Sequence, residues 1–83
     1  MYELVFDEEA INFLSKLPKE IRKRIYDKLV STKTNPFHFF ERLEGRKDYK
    51  LRVGNYRVIA DINSKKIQVI IIGHRRNIYK KIK

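Results

Sequence analysis

Tyr49-Lys50-Leu51-Arg52-Val53-Gly54-Asn55-Tyr56-Arg57-Val58-Ile59-Ala60-Asp61-Ile62 decides the fold, because its hydrophobic period is two and a Gly-Asn pair divides it. Tyr49, Leu51 and Val53 share one side of the first arm. Asp48, Lys50 and Arg52 share the other, which marks a strand with an apolar face and a strongly polar face. Gly54-Asn55 supplies a tight turn, and Tyr56 to Ile62 forms the return strand of a hairpin. After a second turn at Asn63-Ser64-Lys65, the run Ile67 to Ile72 is β-branched except for Gln68. It predicts a central strand covered on both faces and ended by Gly73.

Upstream, Met1 to Phe6 predicts a short strand and Asp7 an N-cap. Glu8 and Glu9 suit the positive end of a helix, and Ala10, Phe13, Leu14 and Leu17 recur on one face, so a helix is expected from Glu8 to Lys16. Pro18 fits the first turn of a second helix, Lys19 to Thr32, with Ile21, Ile25, Leu29 and Val30 on one face and Arg22, Lys23 and Lys28 opposite. Asn35-Pro36 ends it, and Phe37, Phe39 and Phe40 are expected to plug the edge of the core from a loop. The expected fold is α+β in the order β-α-α-β-β-β. A helical hairpin packs on one face of a largely antiparallel four-stranded sheet, and a basic tail runs from His74 to Lys83.

A chain of 83 residues is expected to form one domain, 1–83, with one small core. It has no cysteine, which removes disulfides and thiolate chemistry and suits the cytoplasm. No apolar run approaches the roughly 20 residues of a membrane span. Met1 to Asp7 lacks the features of a secretory signal, so folded structure is expected from the start. The charge is more informative. Residues 1–45 carry eight basic and eight acidic side chains, whereas residues 46–83 carry twelve basic and two acidic, so the whole net charge of +10 lies in the second part. Such a one-sided field attracts a polyanion, nucleic acid or an acidic protein.

No metal-ligand spacing is visible, since His38 and His74 stand alone, and Gly45, Gly54 and Gly73 read as turn glycines, not a phosphate-binding loop. No cofactor is expected. What remains is a convergence at one pole of the sheet of Lys50, Arg52, Arg57, His74, Arg75, Arg76 and Tyr79. Cations beside an aromatic ring suit single-stranded nucleic acid. Without metal or thiol, the chemistry open to such a site is RNA cleavage by the substrate's own 2′-hydroxyl. That reaction needs a base, cations on the transition state and an acid for the leaving oxygen.

Leu51-Arg52-Val53-Gly54-Asn55-Tyr56-Arg57-Val58, the preceding Leu43-Glu44-Gly45, and Gly73-His74-Arg75 with Tyr79 resemble the RelE/ParE superfamily of toxin–antitoxin toxins. The resemblance covers nearly the whole chain. Its RelE-like members cleave messenger RNA in the ribosomal A site, and its ParE-like members poison DNA gyrase. By position it implies that Lys50 and Arg52 are basic residues of the catalytic strand, that Arg57 holds the scissile phosphate, that Arg75 is a catalytic arginine and that Tyr79 stacks on the cleaved nucleotides. One departure is visible: where the best-known nucleases resemble Lys-x-Lys before Arg52, the first position here is Asp48, and Lys47 points to the opposite face. Lys50 with a lowered pKa, Asp48 or the ribosome-bound RNA are open as the base.

His74 reads either as a general acid or as a turn residue. Arg57 could instead be held by Asp61 or Asp48, and Tyr79 with Ile78 could simply pin the tail to the sheet. Tyr49 and Tyr56 are expected in the core, and His38 in a structural role. Arg46, Lys47, Arg76, Lys80, Lys81 and Lys83 are expected to steer phosphate. The resemblance implies a cytoplasmic, metal-independent, ribosome-dependent messenger endonuclease, with ribosome and messenger RNA as partners, no membrane, and a cognate acidic RelB-like antitoxin. ParE-like gyrase inhibition, or an RNA- or ribosome-binding module without activity, are the alternatives. The Arg75-to-Tyr79 ending favours the nuclease.

Overall fold

The computed structural model describes residues 1–81. Along the chain run β1 (Glu3–Phe6), α1 (Glu8–Ser15), α2 (Lys19–Ser31), a 3-10 turn (Thr32–Thr34), α3 (Pro36–Phe39), β2 (Glu41–Arg42), β3 (Tyr49–Val53), β4 (Tyr56–Asn63), β5 (Lys66–His74) and α4 (Ile78–Lys81). The strands form one sheet in the order β1-β5-β4-β3-β2, with β1 parallel to β5 and every other pair antiparallel. The helical hairpin covers one face, where Ala10, Ile25 and Leu29 pack with Leu51, Val53, Val58, Ala60, Ile62, Ile67, Val69 and Ile72. No helix among the described residues is long and apolar enough to cross a membrane.

The sheet has five strands where four were expected. β2 is two residues long, too short to show a period, and pairs Glu41 with Lys50 and Arg42 with Tyr49. Asp7 stands at the N-cap of α1, but its carboxylate accepts a bond from Gln68 Nε2 at 2.7 Å instead of capping a helix N–H. That bond ties the start of α1 to β5. Val30 is 40% exposed and outside the core stripe. Of the three phenylalanines, Phe40 is buried, Phe39 packs partly against the core, and Phe37 is exposed; Phe37 and Phe39 lie on a short helix where a loop was expected. Pro36 at its first turn starts that helix.

The other face of the sheet is covered differently. β5 pairs Ile59 with Ile71 and Ala60 with Val69, so Ile70 is bulged out of the ladder. It lines an open hollow with Arg46, Lys47, Asp48, Asp61 and Asn63, and β5 is therefore only partly covered on this side. Nearer the hairpin turn, Ile59 and Ile78 are fully buried outside the main cluster. α4 folds back onto the sheet here: a Cβ built on Gly73 would stand 2.9 Å from the Ile78 terminal methyl. Gly73 thus lets α4 lie close to β5, and Ile78 pins the tail.

Ile78→Ala should cost about 2–5 kcal/mol, as for other buried Ile truncations, if α4 melts with the rest of the fold. Urea denaturation checks this, and amide exchange at residues 78–81 should accelerate even where the global loss is smaller.

Candidate nucleic-acid interface

The β3–β4 register places Arg52 directly opposite Arg57 and Lys50 opposite Ile59, and β4–β5 places Arg57 opposite Gly73. Lys50, Arg52 and Arg57 therefore share the face on which α4 packs. Side chains directly opposite in such a pair have Cβ atoms about 5 Å apart, where like charges repel. Arg57 is only 8% exposed, and its Nη1 donates to the carbonyls of Gly54 at 3.0 Å and Tyr56 at 2.8 Å. Neither Asp61 nor Asp48 holds it: Asp48 is bonded to Arg46, and Asp61 accepts a long bond from Asn63. Among the described residues no buried side-chain nitrogen or oxygen lacks a partner, so the remaining N–H groups of Arg57, which carry no bond to a described residue, reach solvent.

Gly54 makes this geometry possible, since its φ of +59° is open to glycine at little cost. Across the turn, the Asn55 carbonyl accepts the Arg75 N–H at 2.8 Å, which fixes the exit of β5 against the turn that anchors Arg57. From α4, the half-exposed Tyr79 brings its hydroxyl to Lys50, whose Nζ donates to it at 3.2 Å and lies 5.8 Å from the ring centre. The structure thus brings together Lys50, Arg52, Arg57, the Arg75 backbone and Tyr79.

His74 is not part of that face. It pairs with Tyr56, whose ring meets Phe13 of α1, and the His74 and Tyr56 rings lie edge to face at 5.6 Å on the helical side. Its Nδ1 accepts the Arg76 N–H at 3.2 Å, the turn role that the sequence left open. Asp48 receives Nε and Nη2 of Arg46 at 2.8 and 2.9 Å, and the guanidinium holds its carboxyl below the usual aspartate range. A carboxylate so held is a weaker base than a free one. Lys47, Arg76 and Lys80 are exposed, Lys81 lies 4.7 Å over the Phe13 ring, and Lys83 lies outside the described residues. His38 is exposed on α3 and packs edge-on to Phe39. Among the described residues no group of three or more His, Asp or Glu could hold a metal ion.

One cation at this pole was missed in the sequence. Arg24 of α2 places its guanidinium against Gly54, with Cζ, Nη1 and Nη2 each 3.4 Å from where a Cβ would stand. Position 24 lies between the core residues Ile21 and Ile25, and nothing in the helical period distinguishes it from its charged neighbours.

Two outcomes follow from this electrostatic arrangement. Arg52→Thr removes the repulsion opposite Arg57 and should raise stability by up to about 1 kcal/mol at low ionic strength, with the gain shrinking as salt screens the pair. Thermal melts across salt check it. For Asp48, the folded-state pKa lies below the unfolded one, so the stability it adds is present above the ordinary aspartate range and lost as pH falls through the lower folded value. The urea midpoint of Asp48→Asn should therefore lie below that of the unsubstituted protein at neutral pH, and the two should converge only in strong acid.

The family model described as the ParE toxin of the type II toxin–antitoxin system parDE matches residues 4–79. No curated protein matches significantly. Among solved structures, a chain of the intact E. coli RelBE toxin–antitoxin complex is similar with a TM-score of 0.75 and 30% identity over 89% of this chain and 96% of that one. The isolated E. coli RelE toxin gives 0.76 and 25% over the whole of both chains. The RelB–RelE antitoxin–toxin complex of Methanococcus jannaschii gives 0.72 and 27% over 90% of this chain and 94% of that one. A match over this length, on the strand order and hairpin just described, shows that the chain belongs to the RelE/ParE superfamily of toxin–antitoxin toxins.

Proposed function

We propose that the chain is a toxin that cuts messenger RNA in the ribosomal A site, without a metal, by directing the RNA 2′-hydroxyl onto the adjacent phosphate. The observation that carries this reading is the meeting of Lys50, Arg52, Arg57 and Tyr79 on one face of the sheet with no carboxylate among the described residues paired to any of them. Arg57, fixed by two carbonyls, is preorganised to meet charge that develops on the phosphate, and the Arg75 backbone is bonded to the same turn. Tyr79 offers a half-exposed ring for a base to stack on. Lys50, at the Tyr79 hydroxyl, is the side chain best placed to act as base or to orient the attacking group. Arg46, Lys47, Arg76, Lys80 and Lys81 supply the wider field for RNA and ribosome.

The E. coli and M. jannaschii relatives occur in complexes with RelB antitoxins, which supports an antitoxin of that type here; the +10 net charge suits an acidic one. The site of action is then the cytoplasm, where ribosomes are. A second reading, gyrase inhibition without catalysis, is favoured by the ParE family model.

An in-vitro translation assay with mapped messenger ends separates the two. Cuts within codons on the ribosome are expected, and inhibition of gyrase supercoiling with intact messenger would reverse the ranking. Arg57→Ala and Arg75→Ala, checked for unchanged melting, should lower single-turnover cutting by about a hundredfold or more, comparable to deleting a transition-state donor.

A further inference from the structure

We propose that Arg24, with Lys28 and Arg52, forms a second phosphate-backbone contact at the open edge of β3, which holds the flanking part of a bound single-stranded RNA. The inference rests on the RNA reading of the neighbouring face but not on cleavage. A hollow of about 470 Å³ opens between α2 and the end of β3, lined by Arg24, Asp27, Lys28, Arg52, Val53 and Gly54. β2 pairs only with Tyr49 and Lys50, so the edge of β3 beyond them carries no partner strand.

Three guanidinium atoms of Arg24 are equidistant from the position a Cβ of Gly54 would take, so the group turns its face to the side of the turn that glycine leaves open. Its N–H groups radiate in the plane and have no hydrogen bond or ion pair among the described residues. Arg24 is exposed, and a planar fork with its donors turned to solvent matches the bidentate recognition of phosphate. The one carboxylate in the hollow, Asp27, is bonded by Lys23 at 2.7 Å, so Arg24 is not neutralised by it. Lys28 lies 4.9 Å from the Phe39 ring centre, which holds its stem at the rim.

The location joins this hollow to the candidate site. The Arg24 guanidinium faces the Cβ position of Gly54 and Arg57 Nη1 donates to the Gly54 carbonyl, so the two guanidinium groups flank a single turn residue. Arg52, opposite Arg57 in the register, lines the hollow as well. An RNA strand with one phosphate at Arg57 meets Arg24 as it passes the turn. Val53 is the only apolar side chain in the lining, and a protein partner would call for an aromatic or aliphatic anchor there.

The test measures binding of a fluorescent, 2′-O-methylated single-stranded RNA, which cannot be cut, across a salt series. Arg24→Glu should weaken binding about tenfold at low salt and flatten the plot of log affinity against log salt by about 0.7 to 1, the value of one lost phosphate contact. Lys66→Glu, an equal charge change at the start of β5 and the far end of the sheet, should alter affinity by less than about twofold through the general field alone. Both variants must melt like the unsubstituted protein. Equal losses from the two variants, no loss from Arg24→Glu, or no RNA binding by the unsubstituted protein would each overturn the proposal. So would Arg24-dependent binding of labelled polyglutamate with RNA binding unaffected, which would mark a protein contact. Intact messenger in the translation assay, with Arg24-dependent RNA binding retained, would refute the nuclease and leave this contact standing.

Discussion

Arg52 directly opposite Arg57 in a two-stranded register is a pairing that a folding sequence avoids, because like charges across a strand pair reduce stability. The rest of the structure is arranged around tolerating it. The alternate residues of the same strands, Leu51, Val53, Val58 and Ala60, supply the core beneath the helical hairpin. A sheet in which one face must be apolar leaves the other for the cations, and there the Gly54 and Tyr56 carbonyls take the place of a carboxylate for Arg57. A carboxylate would have stabilised the arginine and cancelled its charge. Two carbonyls hold it in position and leave the charge in place.

The second face is not bare, which reconciles a cationic surface with a small core. Ile59 and Ile78 are both fully buried there, and α4 lies across the sheet because Gly73 presents no side chain. The same short helix carries Tyr79 to Lys50. Packing and site are therefore coupled: the apolar anchor of α4 fixes the height at which the tyrosine ring stands over the cations. The Arg75 amide, bonded to Asn55, fixes the start of that tail against the hairpin turn. Catalytic and binding candidates from the middle and the end of the chain meet because of one glycine, one isoleucine and one turn carbonyl.

The hairpin was legible because its alternation is strong and its turn residues are diagnostic, and the helix limits followed from Pro18 and the apolar stripe within a residue of the observed ends. Lys50, Arg52 and Arg57 followed from strand parity alone. His74 did not, because the bulge at Ile70 shifts the parity of β5: Ile67 and Val69 face the helices before it, and Ile72 and His74 after it. An unbroken count from Ile67 puts His74 on the wrong face. β2 escaped notice because two residues have no period, and α4 because one isoleucine among lysines gives no stripe. Arg24 was invisible for a different reason, since its significance lies in contact with a turn thirty residues away in sequence.

If this cationic face acts as proposed, the 2′-hydroxyl of a ribosome-bound strand is the attacking group. The most direct measurement places a single 2′-deoxy nucleotide immediately 5′ of a mapped cut in an otherwise unmodified messenger and follows cutting at that position on programmed ribosomes. The cut is expected to disappear there while ribosome binding persists, because the attacking group is gone and the phosphate contacts remain. Cutting at the original rate would show that the nucleophile is not the RNA's own hydroxyl and would contradict the chemistry assigned to Lys50, Arg57 and Tyr79.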